Sequence, residues 1–150
     1  MVFMPTWQKT AKSIFISIIR FWLPVVLWAA VIFTFSTWPT KKSSEFYLWD
    51  FIVKKTAHVV EYGIFTILIY RALKASGVNK LEAAVYAVIL AIMYGMSDEF
   101  HQSFTPGREP KVRDVVIDSF GSMISMYLVL KILPKAPEKI KEIARNYQLI

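Results

Sequence analysis

FWLPVVLWAAVIFTFSTW, residues 21–38, decides the class of this chain. Its 18 positions carry no charged side chain. At about 1.5 Å per residue such a helix nearly crosses the roughly 30 Å apolar core of a bilayer. Three further apolar blocks follow at residues 53–73, 81–104 and 115–133. Over all 150 residues, 55% are hydrophobic and 19% charged, and the mean hydropathy is +0.43. A water-soluble domain carries about 25% charge. The composition therefore excludes an ordinary soluble globule and a disordered chain. It predicts an all-α integral membrane protein, a four-helix bundle forming one domain over residues 1–150.

Working outward from the first block, Pro24 stands near its start, where a missing N–H costs a helix least. No small-x-small cleavage site follows the run, so it reads as a span rather than a cleaved signal. Upstream, Trp7, Ala11, Ile14, Phe15 and Ile18 recur at helical spacing among Lys9, Lys12 and Arg20. That is either a basic amphipathic helix in the headgroup plane or an extension of the span. The connections fall at residues 39–52, 74–80 and 105–113, and the middle one, KASGVNK, is a tight polar turn. The basic tail, residues 134–150, is helix-prone, with Ile140, Ile143, Ala144 and Tyr147 on one stripe.

Placing the N-terminus in the cytoplasm puts eleven of the 18 Lys and Arg residues inside and seven outside. Both termini of this multi-pass membrane protein are therefore expected in the cytoplasm. The net charge of +7 finds its partner in an anionic lipid surface. No basic stripe with stacking aromatics lies in a polar context, so nucleic acid is not expected as a partner. Cysteine is absent, which removes disulfides, thiolate metal sites and a cysteine nucleophile.

This topology gathers the ionisable residues. His58 and Glu61 lie in the first turns of the second span. Asp98, Glu99, His101 and Gln102 lie in the last turns of the third, and Asp114 and Asp118 open the fourth. All fall at one depth, toward the outer leaflet. An ionisable group within a membrane costs roughly 2.5–3.5 kcal/mol even on insertion scales and by default faces a cavity or a partner. Spacing agrees, since His58/Glu61 and Asp98/His101 are i,i+3 pairs and Asp114/Asp118 an i,i+4 pair. Blander readings exist for single members. His58 and Glu61 can snorkel, Asp114 can cap a helix, and Pro106-Gly107 can be only a turn. Asp98 and Glu99 at a helix C-terminus oppose the macrodipole, so they call for a partner such as Arg108, Lys55 or a cation. Gly121-x-x-x-Ser125 offers a small-residue face for close helix packing.

At these residues the chain resembles the VanZ-like family of small bacterial membrane proteins. Lys55-Thr56-Ala57-His58 with Glu61-Tyr62-Gly63 carries the likeness, as do Ser97-Asp98-Glu99-Phe100-His101-Gln102 and Phe104-Thr105-Pro106-Gly107-Arg108. Asp114-Val115-Val116-Ile117-Asp118-Ser119-Phe120-Gly121 completes it, and Phe35-Ser36-Thr37 resembles the pattern at the end of the first span. The family commonly shows Asn where this chain has Asp118. The resemblance implies a cell-envelope protein of the bacterial cell membrane, in a family named for a member linked to teicoplanin resistance. It implies no particular reaction.

The residue types point to chemistry on an anionic headgroup. Lys55 and Arg108 suit phosphate, with Gln102 and Asp114 completing a binding set. His58 and His101 suit nucleophilic or acid–base roles, with Glu61, Asp98, Glu99 or Asp118 fixing a tautomer. The expected partner is a membrane lipid, in particular a phosphorylated envelope lipid or wall precursor, bound or processed at an outward-facing site. A non-catalytic lipid or glycopeptide binder is the alternative, and an ion or proton pathway a third reading. No cofactor is required. A divalent metal is a variant, because His58-x-x-Glu61 and Asp98-x-x-His101 are carboxylate–histidine pairs on two helices.

Overall fold

A computed structural model describes the backbone of residues 6–37, 48–106 and 110–150, and their side chains from residue 16 onward except Asp50. The described residues form an all-helical chain. Its elements are α1 (Thr6–Thr37), α2 (Leu48–Ala75), α3 (Lys80–Gln102), α4 (Val112–Tyr127) and a short α5 (Glu138–Asn146). A π-helical turn (Leu128–Ile132) and a 3-10 turn (Leu133–Lys135) join the last two.

Three helical stretches are long and apolar enough to cross a membrane: Ile16–Thr37, Lys80–Gln102 and Val112–Lys135. The exception is α2, whose 28 residues are diluted by Lys54, Lys55, His58, Glu61 and Arg71. Nevertheless α2 is the centre of the packing. It contacts α1, α3 and α4.

The distribution of side chains inverts that of a water-soluble protein. Small residues fill much of the interior, including Ala72, Ala83, Ala87 and Ala91, together with buried polar Thr66, Asp98, Asp118 and Ser122. Leu23, Val26, Leu27, Met93, Met96 and Phe120 face outward. Contiguous exposed apolar surface on this scale fits hydrocarbon and not water. With lipid outside, helices associate by close packing of small residues and by interhelical hydrogen bonds.

Both devices are present. At Gly121 a Cβ would stand 2.4 Å from the Val59 carbonyl oxygen, so α4 crosses α2 almost backbone to backbone. Gly63, on the facing side of α2, lies against the Gly121 carbonyl and Ser125. Trp28 on α1 donates its indole N–H to the Glu61 carbonyl of α2 at 3.0 Å. Tyr94 on α3 donates to the Ala29 carbonyl of α1 at 2.7 Å.

The turn between α2 and α3 follows its sequence. Gly77 has φ of 91° and closes α2, with its N–H on the Lys74 carbonyl and the Val78 N–H on that of Leu73. Asn79 then caps α3 by accepting the Glu82 N–H at 3.0 Å.

Several expectations are corrected. Pro24 does not open a helix, because α1 begins at Thr6 and Pro24 lies in its interior. Neighbouring helices and local adjustment let a membrane helix absorb that lost N–H. Of the two readings of the N-terminal stretch, the structure takes the extension, which continues α1 without a break, its side chains up to residue 15 lying outside the described residues. α2 starts at Leu48 rather than near residue 53, so His58 sits almost three turns in rather than in the first turns. Lys111, not Asp114, occupies the N-cap position of α4.

The helix-prone tail forms α5 (Glu138–Asn146). Ile140, Ile143 and Tyr147 remain exposed, and Ala144 alone of the stripe is buried. α5 is held instead by its C-terminal carbonyls. Arg71 donates to Tyr147 O at 2.7 Å, Lys74 to Gln148 O at 3.3 Å, and Tyr70 to Leu149 O at 3.3 Å. On its outer face, a hydrogen bond and charge from Lys141 hold the exposed Glu138 carboxyl below its usual range.

Candidate functional site

The polar residues of α2, α3 and α4 meet at one end of the packed helices. His58 on α2 and Asp118 on α4 face each other, with Nδ1 to Oδ1 at 3.1 Å. An ionised carboxylate can only accept, so the contact places the proton on Nδ1 and leaves Nε2 as the basic nitrogen. Asp118 is buried, and the close crossing at Gly121 sets its distance from α2. One turn toward the helix ends, Lys55 pairs with Asp114 at 2.7 Å, both side chains largely sheltered. Two parallel α2–α4 ion contacts thus share one seam.

On the other side of α2 lies a small cavity of about 70 Å³. His58, Glu61, Tyr62, Asp98, Gln102 and Ser36 supply its polar wall. Gln102 donates Nε2–H to Asp98 Oδ2 at 2.8 Å. The Tyr62 ring is 1% exposed and lies against Gly95, where a Cβ would come within 3.3 Å of it. A glycine there admits the ring and lets its hydroxyl reach the cavity.

A third feature opens laterally. A groove of about 580 Å³ runs between α1 and α2. Trp28, Val31, Phe35, Val60 and Ile64 give it an apolar wall, while Lys54, His58 and Glu61 stand along it. His58 and Glu61 therefore border both the lateral groove and the inner cavity.

The ten residues expected at the site divide accordingly. Lys55, His58, Glu61, Asp98, Gln102, Asp114 and Asp118 are brought together. Glu99 has a different partner, because its Oε2 accepts the Lys111 backbone N–H at 2.7 Å and ties the end of α3 to the start of α4. His101 turns toward α1 and packs on Phe33, ring centroids 4.4 Å apart, with Nδ1 buried. Arg108 lies outside the described residues. The carboxylate–histidine pairs proposed for a metal are thereby split, since His101 is not among the residues lining the cavity. Among the described residues, no group of three or more His, Asp or Glu side chains could hold a metal ion.

Sequence reasoning undervalued two members. Ser36 and Tyr62 present hydroxyls to the cavity. The signal for Ser36 was the cluster of hydroxyls, Thr34, Ser36 and Thr37, that closes an apolar run. For Tyr62 it was adjacency to Glu61.

Helices of this length and apolarity, with an inward-turned set of acids and an imidazole, fit a helical membrane protein with polar side chains gathered between its helices. The particular family is equally plain. The chain belongs to the VanZ/LLP1 family, whose model matches residues 21–133. No curated protein and no solved structure matches the chain.

Proposed function

We propose that this protein is a single-domain, multi-pass protein of the bacterial cell membrane whose site receives the phosphorylated headgroup of an envelope lipid or wall precursor. Four helices cross the bilayer, both termini lie in the cytoplasm, and the site opens at the outer leaflet. The observation that carries the reading is the position of the His58–Asp118 pair, where the lateral groove meets the polar interior. An alkyl or prenyl chain suits the Trp28, Val31 and Ile64 wall, and its headgroup then falls beside Lys54 and His58.

The chemistry follows from the tautomer. With Nδ1–H on Asp118, the Nε2 atom of His58 is the one free to take a proton from a water or an alcohol, as a carboxylate-oriented imidazole does in hydrolases. Lys54, on the lateral groove, supplies a point charge for phosphate. Shielding or altering such a headgroup gives a physical route to glycopeptide resistance, because the antibiotic's access to envelope precursors then changes.

Purified protein incubated with polyprenyl phosphates and phosphatidylglycerol tests this. Phosphate release that falls about 10²–10⁴-fold in His58→Ala supports acid–base turnover. Retained lipid without release, weakened by Trp28→Ala, supports binding alone. Neither release nor retention of any phosphorylated lipid rejects the reading.

A further inference from the structure

Most buried hydroxyls in this protein are satisfied on their own helix. Thr66 donates to Tyr62 O, Ser122 to Asp118 O, and Ser125 to Ser122 O. Among the described residues four buried side-chain oxygens lack a hydrogen bond, and one of them, Asp114 Oδ1, is ion-paired with Lys55. The other three, Ser36 Oγ on α1, Tyr62 Oη on α2 and Asp98 Oδ1 on α3, have neither a hydrogen bond nor an ion pair. Their residues are 5%, 1% and 7% exposed. All three line the same 70 Å³ cavity. Native proteins rarely leave such atoms unpaired, and three from three helices around one space mark a place for a ligand.

Charge narrows what that ligand is. Lys55 is committed to Asp114, and His58 faces Asp118. Neither Asp98 nor Glu61, which also lines the cavity, has a cationic partner among the described residues. Water would satisfy the orphaned oxygens but would leave the carboxylate charge within a low-dielectric interior. A cation answers both needs. The wall offers hydroxyl and carboxyl oxygens, the ligand set of a hard ion. Two carboxyl groups, beside a His58 imidazole whose Nδ1 is engaged by Asp118, suit one positive charge better than two.

We propose that the cavity walled by Ser36, Glu61, Tyr62 and Asp98 binds a desolvated monovalent hard cation of the sodium type. The ion joins α1, α2 and α3 at the end of the molecule where the polar groups gather. It also offsets the negative charge beside His58. This assignment stands apart from the lipid reading, because it rests on the inner cavity and not on the lateral groove.

The test uses the full chain in detergent at constant pH and ionic strength, with choline chloride as the reference salt. Replacing choline by Na⁺ is expected to raise Tm saturably, by about 4 °C or more, and ²²Na⁺ is expected to bind stoichiometrically. Both effects are lost in Asp98→Asn and weakened in Ser36→Ala and Tyr62→Phe. Circular dichroism and Tm in choline show that each variant is folded. Should Asp98→Asn fail to fold, the two hydroxyl variants carry the test. Identical Tm values in Na⁺ and choline, with no ²²Na⁺ bound, overturn the proposal, as do hydroxyl variants that bind ²²Na⁺ undiminished. Stabilisation by Mg²⁺ or Ca²⁺ alone overturns the monovalent assignment.

Discussion

Asp118 joins two roles that are usually separate, since it orients an imidazole and it fastens two helices. Removing its carboxyl leaves His58 Nδ1–H without an acceptor in a half-buried setting. Such an orphaned donor costs about 1–3 kcal/mol. Asp118→Ala is therefore expected to lower the unfolding free energy by about that amount, and Asp118→Asn by less, because an amide oxygen still accepts the N–H. Unfolding of the two variants in detergent, followed by circular dichroism, checks the order. Equal stability of wild type and Asp118→Ala would mean that the contact contributes nothing. This pairing was half legible in the sequence. An acid a full turn inside an apolar helix had to face something, but spacing alone could not choose His58 over Lys55 or Arg108. Glu99 shows the opposite limit. Beside Asp98 it read as a site acid, yet its partner is a backbone N–H, and no side-chain pattern announces a backbone donor.

Among the elements, local signals were reliable and long-range ones were not. Gly77 and Asn79 specify their own turn, because a left-handed residue and a side-chain cap act within four positions. The extension of the first span toward the N-terminus was one of two readings, and α1 takes it; the interior position of Pro24 was missed, since neighbouring helices, rather than the local sequence, tolerate the lost N–H. The small-residue step from Gly121 to Ser125 announced a close contact without naming the partner. That partner is the α2 backbone at Val59, so near that a methyl group at Gly121 cannot fit unless α2 and α4 move apart. Gly121→Ala is expected to cost about 1–3 kcal/mol by overpacking and to loosen the His58–Asp118 contact that the crossing sets. Thermal unfolding gives the first effect. The second is read from the His58 ring resonances in a ¹⁵N-labelled sample, which should shift toward those of Asp118→Ala. Gly77→Ala is the control, because open space surrounds that position and only its positive φ resists substitution.

For the molecule as a whole, the decisive asymmetry is that of its two ends. At one end Lys55 is neutralised by Asp114, and His58, Glu61, Asp98 and Asp118 add mostly acid. At the other, Arg71 and Lys74 close α2 and grip the C-terminal residues, so the tail's Lys139, Lys141 and Arg145 collect at the same end as Arg20 and Lys80. Positive charge flanking helix ends is retained in the cytoplasm, and anionic lipid there adds roughly 1 kcal/mol per basic group near the surface. Both arguments support the proposed orientation, with the basic end inside and the polar site outside. The absence of cysteine makes this open to a clean measurement, since any introduced thiol is the chain's sole target. Lys111→Cys, at the exposed start of α4, is expected to react with a membrane-impermeant maleimide in intact cells. Lys80→Cys and Glu142→Cys, exposed at the basic end, are expected to react only after permeabilisation. The reverse pattern would turn the site toward the cytoplasm and remove external lipids and wall precursors from its reach. Labelling of Lys80→Cys and Glu142→Cys from opposite sides would contradict the docking of the tail on α2, because hydrogen-bonded partners cannot lie across a bilayer from one another.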